Sequence, residues 1–332
     1  MKQNIVVIPT FNEIENIEDI LRAVMNLETP IDVLVVDDNS PDGTSEKVLQ
    51  IAEEFPDRIF LKKRLKKNGL GTAYVAGFKW ALKHNYEYIF EMDADFSHNP
   101  NDLPKLLEVC KNVADVSIGS RYVKGVNVVN WPLSRVLLSY FASVYVRFVT
   151  SMNVMDTTAG FICYHRSVLE QINLDKIKFV GYAFQIEMKY RAYAKDFVIK
   201  EVPIIFTDRT KGVSKMSNAI ITEAVFGVIT LRLKKLFNKS SKSKIVGVGI
   251  GAATTAVVQS SSATTVLVVG FVNAGVMSLF QAATVIMGAN IGTTITAQIV
   301  ALKSFDVSMY AMALAAIGIF INMLGKTDKV KV

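Results

Sequence analysis

The sequence predicts an α/β protein built on a doubly wound, mostly parallel sheet and followed by an all-α membrane region. Three observations carry that prediction. Short β-branched runs alternate with helix-period segments from the N-terminus onward, and polar clusters stand directly after those runs. Ile245 to Leu302 contains no Asp, Glu, Lys or Arg, whereas charges are scattered through Met1 to Lys244.

Ile5 to Ile8 and Val33 to Val36 are apolar runs ending in polar residues, with a helical pattern from Asn16 to Met25 between them, which makes a βαβ unit. The pattern continues with a helix over Ser45 to Glu54, a strand near Ile59, a helix over Ala73 to Lys83 and a strand over Tyr88 to Met92. In such sheets ligands lie beyond the carboxyl ends of the strands. Thr10 to Glu13, Asp37 to Asp42 and Asp93 to His98 all fall there, so three strand ends share one crevice. Leu133 to Val149 and Ala219 to Leu236 are amphipathic, and each reads either as a helix packed on the sheet or as one lying in a membrane interface.

Asn238 to Lys244 is a Ser/Lys linker. Beyond it, Ile245 to Val258 and Ala263 to Ala274 are each too short to span comfortably and flank a polar tip at Gln259 to Ser262, the pattern of a re-entrant hairpin. Ser278 to Met287 and Ile291 to Leu302 flank a second polar break at Gly288 to Asn290, and Val307 to Leu324 is long enough to cross a bilayer.

The chain of 332 residues is 51% hydrophobic and 20% charged, with a mean hydropathy of +0.31. Disorder and a small disulfide scaffold are thereby excluded, and two domains are expected at roughly 150 residues each. The net charge of +7 favours anionic partners. Arg232, Lys234, Lys235, Lys239, Lys242 and Lys244 precede the apolar region, and Lys326, Lys329 and Lys331 follow it, so both ends are expected on the cytoplasmic side with an even number of crossings. No secretory leader precedes the first strand, which places the N-terminal domain in the cytosol. Cys110 and Cys163 read as buried reduced thiols. His84, His98 and His165 lack metal-site spacing, and only His98 falls near the crevice. No nucleic-acid partner is expected, because the basic stripe lacks interleaved aromatics and an acidic crevice repels a polyanion that brings no metal.

Asp93-Ala94-Asp95 closes a largely apolar strand, so its carboxylates point into the crevice, where a hard cation such as Mg²⁺ or Mn²⁺ would take them together with phosphate oxygens. Asp37 to Gly43 forms an Asx/Pro turn that caps the next helix, and an early carboxylate there is free to accept from a ribose or base. Gly69 to Thr72 opens a helix, either as simple loop chemistry or for close backbone approach to a phosphate.

The motifs PTFNE (Pro9 to Glu13), VVDDNSPDGT (Val35 to Thr44), GLGTA (Gly69 to Ala73), MDADFSHNP (Met92 to Pro100), GSRY (Gly119 to Tyr122), WPLSR (Trp131 to Arg135) and DRTKGVSK (Asp208 to Lys215) run in order along the chain. Together they resemble the catalytic domain of polyprenyl-phosphate (dolichol-phosphate) mannose synthases, within the family 2 glycosyltransferases, over residues 1–237. The resemblance implies a GT-A type fold and inverting transfer of mannose from GDP-mannose to a polyprenyl phosphate. It also implies that Pro9, Phe11, Glu13, Val36 and Asp38 hold the nucleoside, and that Asp93, Ala94 and Asp95 contact metal and diphosphate. Ser97 then completes the metal site, and Arg121, Arg135, Arg209 and Lys215 bind the phosphates of donor and acceptor.

The chemistry is self-consistent. A phosphate monoester, with its second pKa near 6, is already a nucleophile at neutral pH, so the site has chiefly to neutralise two repelling anions. Thr254 to Gly275, with QSSS at Gln259 to Ser262, and GANIGTT at Gly288 to Thr294 resemble one repeat of the sodium/phosphate cotransporter family. The same Ser, Thr and Gly residues also suit close packing of membrane helices. The expected organisation is a transferase domain at 1–237, a basic linker at 238–244, a transmembrane region at 245–325 and a basic tail at 326–332, integral to the cell membrane with the catalytic domain on the cytoplasmic side. Only one QSSS is present, so a second copy of the chain would supply the other repeat in a homo-oligomer. Two alternatives accompany the main expectation: a sodium-coupled phosphate transporter with an enzymatic head, and a polyprenyl-phosphate glucosyltransferase using UDP-glucose.

Overall fold

The structure is a computed structural model that describes residues 2–181, 183–208, 227–233, 244–303, 312 and 314–320. The chain divides into two compact units, Met1–Arg232 and Leu233–Val332.

The first unit is organised by a seven-stranded sheet. Strands β1 (Lys2–Thr10), β2 (Asp32–Asp37), β3 (Ile59–Lys63) and β4 (Tyr86–Glu91) alternate with helices α1 (Ile17–Met25), α2 (Thr44–Glu54) and α3 (Leu70–Lys83). Helix α4 (Leu103–Asn112) leads to β5 (Val116–Ser120). After these come β6 (Val128–Val129), α5 (Leu133–Thr150), β7 (Ile162–His165), α6 (Arg166–Gln171), α7 (Ala183–Tyr193), β8 (Ile199–Pro203) and β9 (Phe206–Thr207). The sheet order is β3-β2-β1-β4-β7-β5-β8, and β6 and β9 form a separate parallel pair. Strand β7 runs antiparallel to both of its neighbours, while the other pairings of the large sheet are parallel.

The double winding follows from strand periodicity. Successive residues of a strand face opposite sides, so Val6 and Ile8 join one core with α1 and α4, and Ile5 and Val7 join the other with α3 and α7. Because both faces are covered, the strands read as continuous apolar runs. Cys110 and Cys163 are buried and free.

The described residues of the second unit include helices α8 (Lys244–Val258), α9 (Ser261–Asn273) and α10 (Leu279–Lys303). The turn between α8 and α9 is placed where the polar tip predicted it: Gln259 takes a φ of 57°, and the Ser260 side chain caps α9 by accepting from the Ala263 amide. The second predicted break is a correction, because α10 runs unbroken through Gly288 to Asn290. The glycines there serve packing. A Cβ on Gly288 would fall on the Val248 carbonyl, and one on Gly251 would fall on that of Val285, so α8 and α10 touch backbone to backbone. Among the described residues no helix is long and apolar enough to cross a membrane. Most of the expected span Val307 to Leu324 lies outside the described residues.

Candidate active site

Parallel pairing brings the ends of β1, β2 and β4 to one edge, and the loops that follow them carry most of the predicted residues. At the end of β2, Asp37 is saturated by its own turn: Thr10 Oγ1 and Ser40 Oγ donate to Oδ1, and the Ser40 amide and Ser45 Oγ donate to Oδ2, all within 2.6–2.9 Å. Asp37 therefore builds the turn. Asp38 is the carboxylate left to do other work, pairing with Arg64 Nε at 3.0 Å. Burial raises its pKa, and Arg64 offsets part of that rise.

The other predicted nucleoside residues stand nearby. Pro9 pairs in register with Val36. The Glu13 amide donates to Thr44 Oγ1 at 3.0 Å, tying the two loops together. The Lys67 ammonium sits 4.3 Å from the centre of the Phe11 ring.

After β4, Asp93 accepts from the Tyr74 hydroxyl at 3.2 Å, Ala94 is buried, and Asp95 Oδ1 accepts from the amide and the hydroxyl of Ser97 at 3.1 and 2.6 Å. Ser97 thus orders Asp95 in an Asx-type turn. His98 is stacked on Phe161 and accepts from the Asp93 amide at 3.2 Å. Burial drives its pKa down to about 4, so the ring that positions Asp93 is neutral at pH 7.

Arg121, at the end of β5, is 7% exposed and makes a bidentate pair with the fully buried Asp156 at 2.7 Å, with a further bond from Nη2 to Thr158 Oγ1 at 2.8 Å. Burial opposes both charges, yet each holds the other ionised, so Asp156 lies below and Arg121 above its ordinary pKa. Arg135, one turn into α5, stacks on Trp131 at 4.1 Å and donates to Asp208 at 2.9 Å. Arg209 and Lys215, predicted as phosphate ligands, lie outside the described residues.

Asp93, Asp95, Ser97, Arg121 and Arg135 all line one cavity of about 400 Å³. Leu138, Phe141, Ala142, Tyr145 and Val146 of α5 give the lining an apolar part. The nucleoside residues Pro9, Phe11, Glu13, Val36 and Asp38 are not among its lining. Two carboxylates and a hydroxyl are hard oxygen donors that fit Mg²⁺ or Mn²⁺ once a diphosphate completes the shell. Among the described residues no three His, Cys, Asp or Glu side chains are grouped to hold a metal without such help.

Several residues of the site escaped sequence reading. Asp156 has no motif, and its role exists only because the chain returns it to the end of β5. Gln185 of the cavity lining, together with Glu91 and Lys189, is a buried polar side chain. Gln185 Nε2 donates to Glu91 Oε2 at 2.5 Å, and Lys189 Nζ to the Ala159 carbonyl at 2.5 Å. Burial pushes Glu91 up to about 7 and Lys189 down to about 8. A charged or amide residue in a helix ordinarily signals a solvent face, so sequence pattern misreads α7, which is buried over Ala183 to Tyr190.

The family pattern of "Glycosyl transferase family 2" matches residues 5–172, and that of "Na+/Pi-cotransporter" matches residues 212–332. The polyprenol monophosphomannose synthase of Mycolicibacterium smegmatis is 46% identical over 227 residues, 68% of this chain and 86% of that protein. The undecaprenyl-phosphate mannosyltransferase of Micrococcus luteus is 46% identical over 222 residues, 67% of this chain and 90% of that one. Among solved structures, glucosyl-3-phosphoglycerate synthase from Mycobacterium tuberculosis, in complex with Mn²⁺, uridine diphosphate and glucosyl-3-phosphoglycerate, superposes with a TM-score of 0.52 at 15% identity, covering 70% of this chain and 80% of that one. That likeness shows a shared mostly parallel α/β fold of GT-A type. The sequence match, spanning the sheet and the cavity it builds, shows that the chain is a glycosyltransferase and belongs to glycosyl transferase family 2.

Proposed function

We propose that this enzyme transfers mannose from GDP-mannose to a polyprenyl phosphate in the membrane, inverting the anomeric centre and depending on Mg²⁺ or Mn²⁺. The observation that carries the reading is the composition of the cavity, which is lined by paired carboxylates, by arginines and by apolar side chains of α5. A nucleotide sugar needs the first two, and an isoprenoid phosphate needs the last two. The names of the M. smegmatis and M. luteus relatives support the acceptor and the sugar.

In this reading Asp93 and Asp95 would hold the cation, which would supply positive charge against the diphosphate leaving group. Arg121 and Arg135, with Arg209 and Lys215, offset the charge of the acceptor phosphate so that two anions can meet. The acceptor oxygen attacks the anomeric carbon while the bond to the nucleotide oxygen breaks, its electron pair leaving with GDP. No general base is required, because the attacking phosphate is already largely dianionic at neutral pH. Asp38, with Pro9, Phe11, Glu13 and Val36, takes the nucleoside. Residues 1–237 form the catalytic domain, 238–244 the linker and 245–325 an integral membrane anchor, with catalysis on the cytoplasmic side. Helix α5 supports the membrane placement, since it exposes Leu133, Phe141 and Phe148 by 72%, 60% and 86%.

Parallel assays with radiolabelled GDP-mannose and UDP-glucose, each with a polyprenyl phosphate, test the proposal. Organic-extractable label from GDP-mannose, abolished by chelation, is expected. Label from UDP-glucose alone would establish the glucosyltransferase alternative instead. A second reading, sodium-coupled phosphate transport, rests on the match of residues 212–332 to the cotransporter family. Sodium-dependent phosphate uptake by vesicles, lost in Gln259→Ala, would support it.

A further inference from the structure

We propose that Gln185 reads a hydroxyl of the donor sugar, acting as a specificity-determining residue of the transfer. This rests on the nucleotide-sugar reading above. Gln185 lies in the first turn of α7, is 2% exposed and lines the same cavity as Asp93 and Arg121. Its amide is held from one end. Nε2 donates to Glu91 at 2.5 Å, while Oε1 has no hydrogen-bond partner among the described residues.

The surroundings fix that amide in place. The Gly160 backbone packs against it, so closely that a Cβ on residue 160 would come within 3.3 Å of Nε2. Lys189, one turn further along α7, donates to the Gln185 carbonyl at 3.3 Å and to that of Ala159 at 2.5 Å. Phe184 beside it stacks on Tyr74, whose hydroxyl binds Asp93. The start of α7 is thus tied to the carboxylates that face the diphosphate.

An acceptor atom buried without a partner is unfavourable and is tolerated where a ligand satisfies it. A sugar attached to a diphosphate at Asp93 and Asp95 shares the cavity that Gln185 lines, and its hydroxyls are donors that Oε1 lacks. A site built around such a bond rejects an analogue that cannot make it.

The test is a cycle of enzyme variants against deoxy donors, using the full chain in lipid vesicles with polyprenyl phosphate. Wild type and Gln185→Met are compared on GDP-mannose and on its 2-, 3-, 4- and 6-deoxy analogues. Wild type is expected to lose about 10- to 100-fold in kcat/KM on one analogue. In Gln185→Met that loss should shrink to near unity, with the KM for the lipid unchanged. Gln185→Glu, which keeps an oxygen at that position, should retain the discrimination. Gln185→Asn, which withdraws the oxygen by one methylene, should lose it and serves if the Met variant shows no cooperative melting. Equal penalties in wild type and Gln185→Met for every analogue would overturn the inference, even where turnover falls, because a purely structural role lowers all donors alike. Failure of wild type to use GDP-mannose would sink the donor assignment and this inference with it, so the two failures are told apart by the wild-type arm.

Discussion

At the residue scale, the site separates carboxylates that build from carboxylates that face a ligand. Asp37 and Asp156 are fully buried and saturated, whereas Asp93 keeps a side chain 38% exposed at the cavity. Asp95→Ala should abolish transfer, by about 10³-fold or more, in a protein that still unfolds cooperatively. Retained turnover with Mg²⁺ would refute its role. Arg121 forks onto the buried Asp156, so Arg121→Lys, whose ammonium cannot reproduce that fork, should cost about 1–3 kcal/mol in denaturant unfolding. Asp156→Asn leaves a buried guanidinium without its counter-charge and should cost about 3–5 kcal/mol in denaturant unfolding.

At the scale of elements, α7 and α10 show how burial overrides pattern. Helix α7 buries Lys189, whose pKa falls to about 8 from an ordinary 10.5 because burial disfavours the ammonium. Between those values the unfolded chain binds more protons than the folded one, so this residue makes stability rise with pH through that window. The stability of wild type relative to Lys189→Met should accordingly increase from pH 8 to 10.5, as read by urea unfolding. A flat difference would show that the amine keeps its ordinary pKa. Helix α10 meets α8 through Gly251 and Gly288, so Gly288→Ala should lower the melting temperature of the helical unit, with an overpacking cost of about 1–3 kcal/mol or more. If the glycines instead marked a helix break, alanine would stabilise it.

At the scale of the whole molecule, the proposed anchor shares a surface with a lipid-borne acceptor. The full chain in vesicles should then use a long polyprenyl phosphate in the same bilayer at a rate insensitive to bulk dilution, whereas a short water-soluble isoprenoid phosphate should show ordinary concentration dependence. Identical dilution behaviour for the two acceptors, measured by initial rates, would argue against tethering.

The N-terminal half of the sheet was legible in the sequence because parallel strands covered on both faces are uniformly apolar and are punctuated by helical repeats, as Ile5 to Ile8 and Val33 to Val36 are. That Asp93, Asp95, Ser97 and Arg121 stand just beyond strands was legible because motifs at strand ends carry their own position, and the structure has them line one cavity with Arg135 of α5. Sequence by itself determined the mostly parallel α/β fold of the first unit, the turn at Gln259 and the family. Tertiary structure alone decided which charges are already paired: Arg121 with Asp156, Arg135 with Asp208, and Gln185 with Glu91 are separated by 35, 73 and 94 residues. Local pattern records propensity and burial period. It holds no record of which distant partner the folded chain returns to a side chain, and that partner sets its charge, its freedom and its chemistry.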